Sequence, residues 1–287
     1  MLKYILFLVV IFLVAADNNG IEALTDKGYS SGLIMLYRGL GALCVFLLFA
    51  VYRKSDLKPK NWKPHILRLI INGLSAWFLI YSFKFLSAGT VALFQRMDIP
   101  LLILIAVFSK NYRSSLQFYL SIWTIFIIIF FVLSANIIDE DPKGFLYVGA
   151  SIVLSALSFF IIKKQSETEG GMSLGVLYLS GIVIWGVGIT SYSGAGLSVR
   201  MEDMWLFILS GGLLALISIC SIILFKRYHA EKVRLPFALG ALATLGLEMI
   251  IENKVFTVSH IGLSVLLTGI MITICLNPSD PIKISGK

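Results

Sequence analysis

Charge is what this chain has least of. Only 14% of its 287 residues are charged, against 58% hydrophobic, and the mean hydropathy is +0.90. So few charges leave too little polar surface for a soluble fold, and a soluble reading is excluded. Cysteine is nearly absent. Cys44, Cys220 and Cys275 sit singly in apolar stretches, with no paired spacing for a disulfide framework or a zinc site. The three histidines (His65, His229, His260) lie at the ends of different stretches, so neither a metal site nor a cofactor is expected. A phosphate-binding G-x-x-x-x-G-K-[ST] loop is missing, which argues against ATP-driven transport by this chain alone. No nucleophile with a base and no HExxH-like helix is found either, so an enzyme is not expected. Long polar loops are lacking too: the longest connections are Arg53–His65, Asn136–Lys143 and Lys163–Ser173.

What fills the chain instead is a series of ten apolar stretches: Leu2–Leu24, Gly32–Tyr52, Ile66–Leu86, Ala88–Phe108, Leu116–Ala135, Gly144–Ile162, Leu174–Ser193, Met204–Phe225, Leu235–Ile251 and Val258–Leu276. About 20 apolar residues carry a helix across a hydrocarbon core of roughly 30 Å. The expected fold is therefore an all-α membrane protein with ten transmembrane helices. Lys3, the apolar run Tyr4–Val14 and the pair Ala15-Ala16 also fit a signal peptide cleaved before Asp17. A repeat of five spans per half favours a retained first helix.

The net charge of +8 is distributed as a topology signal rather than a nucleic-acid surface. Arg53, Lys54, Lys58, Lys60 and Lys63 fall between the second and third stretches with Arg68 at the start of the third, Lys110 and Arg113 after the fourth, Lys163 and Lys164 after the sixth, and Lys226, Arg227, Lys232 and Arg234 after the eighth. With Lys3, Lys283 and Lys287 these make 17 of the 24 Lys and Arg. The opposite loops hold Lys27, Lys143, Arg200 and Lys254. Positive loops stay inside, so both termini are expected in the cytoplasm. Partners are then the lipid bilayer and a small-molecule substrate, with no nucleic acid.

The acidic Asn136–Lys143 loop splits the chain into residues 1–138 and 139–287, five stretches each. An odd number per half makes the second half enter the membrane from the opposite side. Two five-helix inverted-topology repeats are the construction this predicts, one common in secondary transporters. Aligning Ala88 with Ala230 places Val91 on Val233, Leu93 on Leu235 and Asn111 on Asn253.

A known family carries a similar ordered set of short motifs. The string Tyr81-Ser-Phe-Lys-Phe-Leu-Ser-Ala-Gly-Thr-Val-Ala-Leu-Phe94 followed by Pro100, Arg38 in Leu36-Tyr-Arg-Gly-Leu40, Gly144 and Lys163-Lys164 bounding the sixth stretch, and Glu252 with Gly262 and Gly269 all contribute. Taken in order, over nearly the whole chain, these resemble the drug/metabolite transporter superfamily, EamA-like branch. The resemblance implies alternating access around a central cavity, helices one to four and six to nine lining it, and helices five and ten outside it, where they can support a homodimer. The nearly charge-free Ile122–Leu133 stretch suits that peripheral place. The chain departs from the family where Asp17-Asn18-Asn19-Gly20 replaces a Trp-Gly pair, where Ser109-Lys110 replaces an acidic residue, and in the polar run Gln95-Arg96-Met97-Asp98. Those departures carry over no relative's substrate.

Ionisable residues inside a bilayer cost several kcal/mol on insertion scales, so they are functional candidates by default. At about 1.5 Å per residue, Arg38, Arg96, Asp98, Asp17 and Glu248 share the depth between midplane and outer surface. Arg38 and Arg96 suit a carboxylate or phosphate, which a guanidinium grips at two points. Asp17, Asp98 and Glu248 suit an ammonium group or a coupling proton. Arg96 and Asp98 lie about 200° apart on a helix and need partners elsewhere. Gln95 extends this set, and Trp77 and Tyr81 share a face of the third helix on which a planar or cationic ligand can stack. Ser151, Ser155 and Ser158 in the sixth helix, and Gly211, Gly212 and Ser218 in the eighth, predict close helix packing. Pro100 predicts a break in the fourth helix beside the charged pair.

Together these features predict a secondary transporter of the bacterial inner membrane. Its substrate would be a small polar or zwitterionic metabolite, amino-acid-like or nucleoside-containing, moved by exchange or proton coupling. An exporter of cationic or amphipathic drug-like compounds is the alternative within the class. A membrane-embedded enzyme or a scaffold is the alternative outside it.

Overall fold

The computed structural model describes residues 2–54, 57–108, 119–125, 127, 141–166, 171–194, 196–225, 230–251 and 258–276. Residues 119–125 are helical, and the other helices are α1 Leu2–Asp26, α2 Ser31–Tyr52, α3 Trp62–Ser82, α4 Ala88–Gln95, α5 Asp98–Phe108, α6 Pro142–Ser166, α7 Gly171–Ser193, α8 Met204–Phe225, α9 Ala230–Ile251 and α10 Val258–Leu276. No strand occurs among the described residues. Eight helical stretches, one of them α4 and α5 together, are long and apolar enough to cross a membrane. All-helical architecture follows from the solvent: in hydrocarbon every backbone N–H and C=O must be paired within its own segment. Most of the fifth apolar stretch, the Asn136–Asp141 run apart from Asp141, Glu252 and the basic tail lie outside the described residues, as do Lys110, Arg113, Lys226 and Arg227.

Polar residues at the helix ends set the boundaries. Ser30 caps α2 by accepting from Leu33 N–H at 3.3 Å, and Asn61 caps α3 by accepting from Lys63 N–H at 3.2 Å. With Asn61 as cap and Pro64 in the first turn, α3 starts four residues before the apolar stretch Ile66–Leu86 begins. Ser87 caps α4 through Thr90 N–H at 3.3 Å. The fourth apolar stretch is two helices, not one, and Pro100 gives the reason. It cannot donate to Arg96 O, which instead takes Ile99 N–H at 3.1 Å. The ladder tightens at residues 96–97 and restarts at Asp98.

Packing follows the small residues. α2 lies against α7 and α8, α3 against α6 and α7, and α1 against α8 and α9. Gly41 and Gly211 meet where α2 crosses α8: a Cβ on Gly211 would lie 3.0 Å from both Arg38 O and Gly41 Cα. A methyl there has backbone on its far side, so the helices approach this closely only with glycine. Ser75 and Ser151 clasp α3 to α6, each hydroxyl donating to the other's carbonyl at 2.9 Å. Ser151 is thus a packing residue. The core centres on α2, with Leu33, Ile34, Met35, Ala42 and Phe46 buried against Leu179, Ile182 and Phe207.

Candidate functional site: a charged cavity closed at one end

Eight of the apolar stretches, one to four and six to nine, contribute to a cavity of about 360 Å³. Its walls run from mid-helix, at Asp17 and Arg38, to the ends of α3, α6, α7, α8 and α9 that adjoin the basic loops, at Arg68, Ile162, Leu174, Ser221 and Arg234. That volume suits a small metabolite. Apolar side chains make most of the wall, with the charges grouped in two places.

The first group joins α1 to α2: the Arg38 guanidinium pairs with the Asp17 carboxylate, both buried. Asn18, next along α1, donates to Thr244 Oγ1 of α9 at 3.3 Å. The second group surrounds the break in the fourth stretch. Asp98, 2% exposed, meets Arg234 Nη2 at 2.9 Å, and the Arg234 guanidinium lies 3.3 Å over the Phe159 ring. Arg96, 4% exposed, donates from Nη2 to Gln95 Oε1 and from Nε to Ala92 O at 3.4 Å. It stands 5.6 Å from the Phe237 ring centroid. Arg96 and Asp98 do find separate partners, and among the described residues Arg96 has no carboxylate.

Several buried polar atoms on this wall have no protein partner among the described residues: Asp17 Oδ1, Arg38 Nε, Asn72 Nδ2, Asp98 Oδ1 and Ser158 Oγ. An unsatisfied buried polar atom costs about 1–3 kcal/mol. A run of them on one cavity is what a ligand or water leaves to be filled.

Of the residues expected from the sequence, Asp17, Arg38, Gln95, Arg96 and Asp98 line this cavity. Glu248, Trp77 and Tyr81 are not on its wall. Glu248 is fully buried and accepts from Gly89 N–H at 2.8 Å, so its carboxylate serves the free N-terminal amides of α4. Trp77 donates to Ser31 Oγ at 3.2 Å. Tyr81 stacks edge-on against Tyr147 at 4.7 Å and Phe85 at 5.6 Å, in the packing between α3 and α6. Tyr178, Trp185 and Tyr192 recur every seven residues in α7 but part company: Tyr178 lines the cavity, Trp185 packs on Gly73, and Tyr192 is exposed. The wall also holds Arg68, Asn72, Phe159 and Arg234, which lie outside the expected set. The two arginines read as loop charges because each lies at the edge of its apolar run, Arg68 two residues inside the third and Arg234 one residue before the ninth, whereas α3 and α9 begin four and five residues before those runs.

At the helix ends opposite the basic loops lies a second ionic cluster. Asp203, buried, meets Lys27 Nζ at 2.7 Å and Arg200 Nε at 2.9 Å, and it accepts from the Tyr29 hydroxyl at 2.8 Å. Tyr29 in turn packs edge-on to Phe207 at 5.0 Å and accepts from Arg200 N–H at 3.2 Å. The Tyr29 hydroxyl first, and the Asp203 carboxylate with it, hold the Arg200 guanidinium above its ordinary range. Beside it the Tyr37 hydroxyl donates to Leu197 O at 2.9 Å.

No protein-family model matches the chain, and no curated protein matches it. A crystal structure does. It is 12% identical, with a TM-score of 0.66, over 93% of this chain and 95% of that one. At that identity the likeness is one of fold.

Proposed function

We propose that the chain is a secondary transporter for a small polar or zwitterionic metabolite, built as two inverted repeats and working by alternating access. The observation that carries the reading is a cavity with buried, partly unsatisfied charges that runs from mid-helix toward one set of helix ends, with an ionic and aromatic cluster at the opposite ends. A scaffold has no use for buried charges that lack partners, since each costs stability. The guanidinium-rich wall also disfavours a cationic drug as cargo.

The helix contacts support the repeat. Exchanging α1 with α6, α2 with α7, α3 with α8, and the broken pair α4–α5 with α9 maps one half's contacts on the other's. The α1–α8 contact becomes α3–α6, α2–α8 becomes α3–α7, and α1–α9 becomes the contact of α4 and α5 with α6. The α2–α7 and α4–α9 contacts map on themselves. That pattern is expected of a two-fold axis in the membrane plane. With the basic loops cytoplasmic, the cavity faces the cytoplasm and the Asp203 cluster is the outer closure. The fold places no helix of the second half in a separate unit, and a bacterial inner membrane is the proposed location.

Within this reading Arg96 holds substrate, the Asp17–Arg38 pair forms the floor of the site, and Asp98 is the proton or exchange partner, because its Oδ1 is unpartnered while Oδ2 is held by Arg234. Counterflow of labelled metabolites into proteoliposomes tests it. Arg96→Ala and Asp98→Asn should each abolish flux while leaving folded protein in the membrane. Normal flux in both would move the site elsewhere.

A further inference from the structure

The balance of charge on the cavity wall says more about the cargo than its polarity does. The wall holds two carboxylates, Asp17 and Asp98, and each already faces its own guanidinium, Arg38 and Arg234. Four guanidinium groups, Arg38, Arg68, Arg96 and Arg234, thus stand against two carboxylates, and among the described residues the bonds of buried Arg96 run to an amide oxygen and a backbone carbonyl. A guanidinium in that setting attracts an anion strongly, since low dielectric and missing water leave its field unscreened. The unfilled Asn72 Nδ2 and Ser158 Oγ supply neutral donors on the same wall, which again suit an acceptor-rich anion.

A zwitterion fits this count less well. Its carboxylate would satisfy Arg96, but its ammonium would then have to share a carboxylate that an arginine already holds. The cavity would keep a net positive charge with the ligand in place. An anion without an ammonium lowers it, and a dianion offsets it.

We infer that the cavity selects a small organic anion, a carboxylate or phosphate with no balancing ammonium, seated on Arg96. This narrows the proposed metabolite class and rests on reading the cavity as the substrate site. The aromatic faces of Phe159, Phe237 and Tyr178 take the organic part.

Thermal-shift measurements on the purified full chain test the inference. The probes would be succinate, glutarate, sn-glycerol 3-phosphate and phosphoenolpyruvate as anions, alanine and glutamine as zwitterions, and glycerol as the neutral control. At least one anion is expected to raise the melting temperature by several degrees, dicarboxylates or phosphates telling the two anion chemistries apart. Arg96→Gln should remove the shift and Arg96→Lys retain part of it, which separates lost binding from lost folding. A larger shift from a zwitterion than from every anion, or no shift from any anion, overturns the inference. Proteoliposome counterflow separates it from the transport reading. An anion that binds at Arg96 but is not carried leaves the site and sinks the transporter. A zwitterion carried with an Arg96-dependent rate leaves the transporter and sinks the anion.

Discussion

Among the buried carboxylates held in ion pairs, Asp203 and Asp98 are finished to different degrees. Asp203 has a lysine, an arginine and a tyrosine hydroxyl on its two oxygens. Asp98 has one arginine on one oxygen, and its other oxygen has no partner among the described residues. Both are nearly free of solvent, so exposure does not explain the difference. A cluster that only holds helices together is completed by the chain itself. One that waits for a ligand is left incomplete, and the missing partners point into the cavity.

The first way to break that comparison is to remove each carboxylate in turn. Asp98→Asn takes away the buried carboxylate that Arg234 meets, and the loss is expected at about 3 kcal/mol of unfolding free energy. The double variant Asp98→Asn/Arg234→Gln should recover much of that loss, because the buried guanidinium goes with it. Denaturation of the purified variants checks this, and a double variant no more stable than the single one would contradict it. Asp203→Asn is expected to cost less, because Lys27 and Arg200 are 41% and 55% exposed on their side chains and return to water. Salt sharpens the contrast. Raising ionic strength to about 1 M cuts the screening length to roughly 3 Å, so the melting difference between wild type and Asp203→Asn should shrink while that for Asp98→Asn persists.

How much of this could be read in the sequence differs between the two clusters. Asp98, Arg96, Arg38 and Asp17 stand out in apolar stretches, and any charge in such a stretch announces itself. All-helical architecture was readable for the same reason. Arg234 and Arg68 were hidden, because each sits in the first two turns of a helix that begins before its apolar run, where charge looks like loop. Lys27, Tyr29, Arg200 and Asp203 were hidden differently. They lie 174 residues apart across the Tyr29–Asp203 bond, and only the approach of α1, α2 and α8 brings them together. Glu248 shows the opposite case. Its depth suggested a ligand, yet the close approach of Gly89, where a Cβ would run into the Glu248 carboxylate, turns it into a helix cap.

Smaller effects test that reassignment. Glu248→Gln keeps an acceptor for Gly89 N–H, so stability should change by less than about 1 kcal/mol and flux per folded molecule should hold. Glu248→Ala strands the amide and should cost about 1–3 kcal/mol, still without touching substrate binding. A loss of flux in Glu248→Gln with full folding would return this residue to the site. The smallest change belongs to Trp77→Phe, which removes one hydrogen bond to Ser31 and should cost about 1 kcal/mol, with substrate affinity unaltered in the thermal-shift titration.

One-sided access is the central claim, and a cysteine at Ser155 measures it most directly. Ser155 lines the cavity, and the three native cysteines can be replaced beforehand. In oriented vesicles without substrate, a membrane-impermeant thiol reagent should label Ser155→Cys from the basic-loop side and not from the side of Asp203. Opening the outer closure with Asp203→Ala should then admit the reagent from that side as well. Labelling of the unaltered closure from the Asp203 side, or equally from both sides, would contradict the account.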